Sequence, residues 1–376
     1  MIYLDNAATT KVYAESVEAM TSVYSIDYFN PSSTYKYGLE VKKLITDARK
    51  NIADHFSVLP CEIYFTSCAT EANNWIINNG FKNKKGNIVV SAGEHACVYE
   101  CAKNLKSKGF DVRFAKLLPS GAVDIYDLLS KVDENTCLVS VIHVSNETGV
   151  INDLKAISVL VKAKNPKVIL HSDGVQAFLK INTDLKSLGV DAYSISGHKI
   201  GAPKGVGALY LSSKVKIQPY FYGGGQESGM RSGTENVAGI IGLSKSASVF
   251  AKNASVSNVE KLRRYVVEKL SEVNDVVILG DGAPVSNYIV TFYALGTKAE
   301  ILQTMCADKG VLIGRGSACS SRHSGNRVLA EMGLKQKEID GAIRISLCPE
   351  ITFEDVEKGL AVVIDCIGKL REHKIG

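Results

Sequence analysis

Short runs of consecutive apolar residues punctuate the first two-thirds of this chain, and between them apolar positions recur at helical spacing. Asn87–Ser91, Leu138–Val144, Val168–Asp173 and Ala192–Ser196 are the clearest runs. Their hydrophobicity is continuous rather than alternating. Strands covered on both faces require that pattern, so it predicts a mainly parallel sheet. Ile63–Phe65 passes through small polar residues into a helix ending near Gly80, and Asp153–Lys164 reads as a helix stopped by Asn165 and Pro166. The alternation predicts an α/β fold.

The texture changes near Ala251. A polar stretch, Lys252–Asn258, leads into a charged amphipathic helix over Val259–Val273. Strands are predicted at Asn287–Phe292 and Ala342–Ser346, with a last helix after Thr352. Thr352 and Asp355 have the spacing of a capping box, with Asp in place of the usual Glu. A second, smaller α+β domain is the economical reading.

Composition narrows the function class. The 376 residues carry a net charge of only +5, with Lys and Arg scattered. The densest basic cluster, Lys82–Lys85, reads as a solvated turn, so no nucleic-acid partner is expected. Met1–Asp5 lacks the basic start and apolar stretch of a secretory signal, and no segment is long enough to span a bilayer. The nine cysteines are dispersed, without the paired spacing of a zinc site, and no metal is expected. Cys97 and Cys101, one helical turn apart, read as partly buried residues. Free thiols without a secretory signal point to a cytoplasmic protein.

Chemistry enters at Ser196-Gly197-His198-Lys199, a strand-to-loop corner offering a hydroxyl, an imidazole and an amine. Pyridoxal 5'-phosphate needs such a lysine for its aldehyde and donors for its phosphate. The small-residue turn Phe65–Asn74 supplies a second anion site, where helix amides from Ala69 onward and the Thr70 hydroxyl can face a phosphate. Its alternative is an ordinary helix cap. Asp173, at a strand's C-terminal end, can hold the pyridine nitrogen protonated, and Gln176 can reach the ring hydroxyl. A helix cap is again the alternative. His95 can stack on the ring and handle protons. Asn146 can reach the ring hydroxyl or the substrate.

A second reactive group is Cys319, in the Gly- and Ser-rich segment Gly314–Arg327. Arg315, Arg322, His323 and Arg327 nearby favour its thiolate, the nucleophilic form. Cys137 and Cys366, by contrast, read as buried apolar residues. Arg344, alone in the apolar run Ala342–Ser346, needs a carboxylate, either a substrate's or an internal one.

Together these motifs resemble the cysteine desulfurases of the NifS/IscS type, in the class V aminotransferase group of pyridoxal-phosphate enzymes. The likeness runs from Tyr3–Thr10 to the last helix. It includes Asn30–Ser33, Thr70–Asn73, Gly93–His95, Asp173 with Gln176, Ser196–Lys199, Gly223–Glu227, Met230–Asn236 and Gly316–Cys319. The Ser-Ala-Cys context resembles the group I branch. The resemblance implies fold type I, aspartate aminotransferase-like, with a seven-stranded, mainly parallel sheet. It implies a large cofactor-binding domain over 15–250, and a small α+β domain from 1–14 and 251–376 that carries the Cys319 loop. It implies pyridoxal phosphate on Lys199, Asp173 at the ring nitrogen, Gln176 at the ring oxygen and His95 stacked above. Ala69, Thr70, Ser196 and His198 would bind the phosphate, joined by Thr234 from the neighbouring subunit of a homodimer. Asn146 and Arg344 would hold the substrate carboxylate.

The implied reaction converts L-cysteine to L-alanine and leaves a persulfide on Cys319, for delivery to an acceptor protein in iron–sulfur assembly or thiolation. An aminotransferase, a selenocysteine lyase and a non-enzymatic scaffold are the rivals. The scaffold reading would require loss of Lys199 or Asp173, and both are present. Two positions depart from the pattern: Cys68 replaces a glycine in the phosphate turn, and Arg322–Arg327 replaces an acidic-Pro-Ser segment. The end at Gly376 lacks the longer tail with which many members engage a cluster scaffold.

Overall fold

The computed structural model describes residues 1–81, 86–315 and 326–372. Its strands are β1 (Ile2–Leu4), β2 (Ile63–Thr66), β3 (Asn87–Ser91), β4 (Asp111–Ala115), β5 (Thr136–Ser140), β6 (Ile169–Asp173), β7 (Ala192–Ser196), β8 (Gly207–Leu211), β9 (Val276–Ile278), β10 (Ile289–Ala294), β11 (Val311–Arg315) and β12 (Ala342–Ser346). Among the described residues they form two sheets. A seven-stranded sheet has the order β2-β8-β7-β6-β5-β3-β4, and a five-stranded sheet the order β1-β11-β12-β10-β9.

The first sheet is parallel from β4 through β3, β5 and β6 to β7, and turns antiparallel at β8 and β2. Every residue of β3, β6, β7 and β8 is buried, as continuous apolar runs predict when helices cover both faces. The expected mainly parallel α/β sheet is therefore present. Two of the four predicted strands match residue for residue; the run at 138–144 stops earlier, at Ser140. Beyond that point the chain leaves the sheet, and Val144 makes only an isolated bridge to Ile151.

The helices follow their apolar spacing. Lys36–Phe56 buries Val41, Ile45, Ala48, Ile52 and Phe56, three or four residues apart along one stripe. Phe353–Glu372 does the same with Val356, Leu360, Val363 and Ile367. At its start the Asp355 amide donates to Thr352 Oγ1 at 3.1 Å, and the Thr352 hydroxyl donates to the Asp355 carboxylate at 2.8 Å. The shorter Asp side chain therefore meets the cap hydroxyl, half of the box that Glu would complete. The polar stretch from Lys252 is helical as far as Val256, as the end of the helix Val237–Val256.

One apolar core joins the two sheets, with Val89, Leu170 and Ile195 from the first in the same cluster as Ile289, Ile313 and Ile345 from the second. The N-terminal segment stitches them further. After β1 pairs with β11, the Thr10 amide donates to His198 O at 2.9 Å and the Tyr13 amide to Gly201 O at 3.0 Å. Residues 5–13 thus lie across the loop that follows β7. No described helix is long and apolar enough to cross a membrane.

Gly174, directly after β6, marks the tightest packing below the site. A Cβ there would lie 1.9 Å from the Tyr193 ring, and Tyr193 is fully buried. Gly174→Ala is expected to cost ~3 kcal/mol, as overpacking of a filled core does, read as a lower urea midpoint. Gly368, exposed in the last helix with open space around it, should behave oppositely, with Gly368→Ala gaining ~1 kcal/mol from helix propensity. Equal, small effects from both would show that the Tyr193 contact is not limiting.

Candidate active site

The C-terminal ends of β3, β5, β6 and β7 point to the same edge of the parallel sheet. Ligands bind at such an edge in open α/β folds. Just beyond β3 lies His95, at the end of β6 lies Asp173, and three residues past β7 lies Lys199.

Asp173 is 2 % exposed and held from two sides. Asn73 Nδ2 donates to its Oδ2 at 2.7 Å, and the Val175 amide donates to its Oδ1 at 3.0 Å. Asn73 belongs to the helix Ala69–Asn79, which buries it completely. The same Nδ2 reaches Cys97 Sγ at 3.2 Å. Asn74 Nδ2 donates to Cys97 O at 3.2 Å, fastening this helix to the turn that carries His95.

The start of the helix Ala69–Asn79 fits an anion. Its N-cap, Cys68, is fully extended at φ −174°, and no side chain caps the first-turn amides. Glu71 is directed away, to the Ser67 amide and hydroxyl and to Arg231. That leaves amide dipoles facing outward at Ala69 and Thr70. The backbone of Cys68 lies against Gly207, where a Cβ would stand 2.9–3.0 Å from it. Glycine at 207 is what leaves room for the backbone of this turn.

His95 caps the helix Ala96–Ser107. Its Nδ1 accepts from the Cys97 amide at 3.3 Å and lies 3.0 Å from Cys97 Sγ. The amide can only donate, so in the neutral ring the proton sits on Nε2. Burial, with Asp173 next in weight, pushes the Cys97 thiol up to about 12, so it is a thiol at neutral pH.

Lys199 Nζ donates to Ala7 O and Ala8 O, each at 2.7 Å. Gln176 Nε2 also donates to Ala7 O, at 2.9 Å, and Gln176 Oε1 accepts from Lys180 at 3.0 Å. Lys180 is half-buried, and burial together with the Lys199 charge brings its ammonium down to about 7. His198 Nδ1 lies 3.1 Å from Thr9 Oγ1. Burial, then the Lys199, Lys204 and Lys180 charges, lowers its imidazole to about 4. The ring is therefore neutral in the free site at neutral pH. Ser196 is buried at the end of β7.

Arg344, on β12, brings the five-stranded sheet to the same place. Its Nη1 donates to Asn146 O at 2.7 Å and its Nη2 pairs with Asp5 at 3.1 Å. Both readings of this arginine meet here. It has an internal carboxylate, yet its buried Nε has no partner, which a bound carboxylate can satisfy. Asn146 contributes its carbonyl to Arg344, while its side chain donates to Glu147 at 2.8 Å.

Not every expected residue joins this group. Thr234 is exposed and lines a separate cavity with Ser67, Gly205 and Arg231. Cys319, Arg322 and His323 lie outside the described residues. Of the other two arginines expected to favour its thiolate, Arg315 pairs with Glu300. Arg327 donates to Ala92 O and Glu94 O and covers the Tyr99 ring at 3.7 Å. Cys366 is fully buried, whereas Cys137 is only half-buried, because its side of the short strand β5 is not fully covered.

Pattern reading missed Asn73, Asp5, Lys180 and the placement of Cys97. The signal for Asn73 was present, since it closes the Thr-Glu-Ala-Asn turn. A cysteine two residues after His95 was read only against Cys101.

These side chains fit pyridoxal phosphate. The open helix start and neutral His198 suit a phosphate, Asp173 a pyridine nitrogen, Lys199 an aldehyde, and the unpartnered Arg344 Nε an amino-acid carboxylate. The profile of the family described as Aminotransferase class-V matches residues 2–358. A curated relative, "Cysteine desulfurase IscS" of Methanosarcina thermophila, is 38% identical over 98% of this chain and 93% of its own. A solved structure titled "NIFS-LIKE PROTEIN" superposes with TM-score 0.92 at 34% identity, covering 98% of this chain and 99% of that one. Another, titled "SspA in complex with cysteine", gives TM-score 0.83 at 30% identity, over 94% of this chain and 100% of that one.

Two histidines beneath the site set an acid limit. His171 bonds with Ser140 and Ser194, and His143 with the Tyr193 hydroxyl. Burial lowers them to about 3 and about 4 respectively. Both are depressed below an unfolded histidine near ~6.5. Their contribution is therefore complete above that pH and is lost as pH falls toward the folded values. On the order of 3 kcal/mol each should be lost by pH 4. In urea titrations, His171→Gln should flatten the decline between pH 6.5 and 4; an unchanged slope would remove His171 as its source.

Proposed function

The chain belongs to the class-V aminotransferase family, whose cofactor is pyridoxal phosphate, and we propose that it is a cysteine desulfurase that moves sulfur from L-cysteine to Cys319 and on to an acceptor protein. The observation that carries this reading is the meeting of Lys199, Asp173, His95 and Arg344 at one sheet edge. Full-length likeness to proteins named cysteine desulfurase supports it.

Lys199 would hold the cofactor, Asp173 its ring nitrogen, Gln176 its ring oxygen and His95 its ring face, with Ala69, Thr70, Ser196 and His198 around the phosphate. When bound, the cofactor supplies an electron sink that acidifies the substrate Cα–H. Arg344 and Asn146 hold the cysteine carboxylate, which places the Cα hydrogen against Lys199. The lysine amine takes that proton. The Cys319 thiolate attacks the substrate sulfur: a carbon–sulfur bond breaks, a sulfur–sulfur bond forms, Cβ gains a proton, and Lys199 returns to Cα the proton it took. L-Alanine leaves and the enzyme retains a persulfide, so the carbon is reduced as the sulfur is oxidised. His95, with its proton on Nε2, can serve a proton transfer at the ring face.

In this reading residues 15–250 carry the cofactor, and 1–14 with 251–376 carry the Cys319 loop. The enzyme works as a cytoplasmic homodimer in which the exposed Thr234 is offered to the neighbouring subunit's phosphate. The acceptor serves iron–sulfur assembly or thiolation.

Two variants separate the roles. Lys199→Ala should abolish both the cofactor's covalent visible band and alanine formation. Cys319→Ser should keep the band and lose sulfide release. Sulfide release surviving in Cys319→Ser, or amino transfer to pyruvate replacing it in the wild type, would overturn the proposal. Arg344→Ala should raise KM for cysteine by ~10–100-fold, the worth of charge-assisted hydrogen bonds. An unchanged KM would leave Arg344 as only the partner of Asp5.

A further inference from the structure

A ring nitrogen of His95, Cys97 Sγ and a carboxylate oxygen of Asp173 all lie within 4.8 Å of one another, and His95 Nδ1 is 3.0 Å from Cys97 Sγ. We propose that in the cofactor-free enzyme these three side chains bind a divalent cation of the Zn2+ or Co2+ class, and that this cation and pyridoxal phosphate exclude each other. Imidazole, thiolate and carboxylate are the donors that borderline cations take, and three protein ligands plus a water make an open tetrahedral site.

Spacing supports the assignment. Ligands at ordinary Zn–N and Zn–S lengths stand about 3.5 Å apart around a tetrahedral ion. Here the nitrogen and sulfur are 3.0 Å apart and no pair exceeds 4.8 Å, so rotamer adjustment of an ångström closes the site. The ring proton of His95 sits on Nε2, so the Nδ1 lone pair, which accepts from the Cys97 amide over a long 3.3 Å, turns to the cation once that bond is given up. Cys97 stands in the first turn of the helix Ala96–Ser107, where the dipole favours a thiolate once a cation displaces its proton.

The surroundings resemble a metal's outer shell. Asn73 Nδ2 donates to both Cys97 Sγ and Asp173 Oδ2, at 3.2 and 2.7 Å, and so orients two of the three ligands. Its Oδ1 is buried and without a partner. A water on the cation would supply the missing donor. Exclusion follows from shared residues: Asp173 cannot hold both the ring nitrogen and a cation, and His95 cannot both stack on the ring and turn its Nδ1 to a metal. A cell's free zinc would then compete with cofactor loading.

The test uses the full chain, stripped of cofactor and held in a phosphine reductant, titrated with Co2+. One equivalent should bind, with a near-ultraviolet thiolate-to-cobalt band and visible ligand-field bands that Zn2+ erases. Cys97→Ala should weaken binding by more than the ~10–100-fold that loss of an outer-shell partner costs. Its ability to take up pyridoxal phosphate reports that the fold is intact. Cys319→Ser should bind Co2+ like the wild type, and adding pyridoxal phosphate should release the metal. Absence of the charge-transfer band, binding undiminished in Cys97→Ala, binding lost in Cys319→Ser, or metal and cofactor bound together would each overturn the proposal.

Discussion

The structure depends on burying a carboxyl group at the end of a central strand. Asp173 is almost fully enclosed, and burial of such a group is costly unless hydrogen bonds replace water. The replacement comes from Asn73 on one helix and from the amide of Val175 on the turn that follows. Those bonds fix where the helix Ala69–Asn79 must sit. That helix in turn fixes the uncapped amides at its start and, through Asn74, the turn bearing His95. Tyr193 packs beneath so closely that only glycine fits at position 174. One buried group therefore sets the positions of Asn73, of the start of its helix and of the turn bearing His95.

Much of this was legible from the chain, and the boundary of legibility is physical. Runs buried on both faces announce strands, so β3, β7 and β12 could be read to the residue. The placement of Lys199, Asp173 and His95 at one sheet edge was legible because each lies at the end of such a run or just beyond it. Partnerships across long sequence separations were not. Arg344 and Asp5 are 339 residues apart, and Lys199 meets the carbonyls of Ala7 and Ala8 across 192 and 191. No local pattern encodes those pairs, since they exist only when the N-terminal segment crosses from one sheet to the other. Cys97 was misjudged for a related reason: periodicity compares it with Cys101 on its own helix, whereas its neighbours are Asn73 and Asp173 from two other elements.

Thiol chemistry in this chain is sorted by environment rather than by number. Cys97, Cys306 and Cys348 are all pushed up to about 12, with burial the largest cause in each, so they stay protonated and weakly nucleophilic. A transferable sulfur needs a thiolate, and the Gly- and Ser-rich segment around Cys319 has the composition for one. Separation of roles follows: thiols that burial keeps protonated are suited to packing, and a thiol in a Gly- and Ser-rich segment with arginines nearby is suited to transfer.

Unsatisfied polar atoms locate the same centre independently. Among the described residues six buried side-chain atoms lack a hydrogen-bond partner, and three of them, Asn73 Oδ1, Glu94 Oε2 and Arg344 Nε, surround this sheet edge. Native interiors tolerate few such atoms. Glu94 explains part of its own share: burial, then the neighbouring Asp173, push its carboxyl well above the usual range, which favours its neutral form. Arg344 has no such escape, because a guanidinium does not deprotonate in proteins. Its Nε stays buried and unpaired close to Gly314, while Nη1 and Nη2 are held by Asn146 and Asp5. The dissatisfaction of the free site is therefore uneven: a carboxyl relieves its share by taking up a proton, whereas a guanidinium is relieved only by an acceptor.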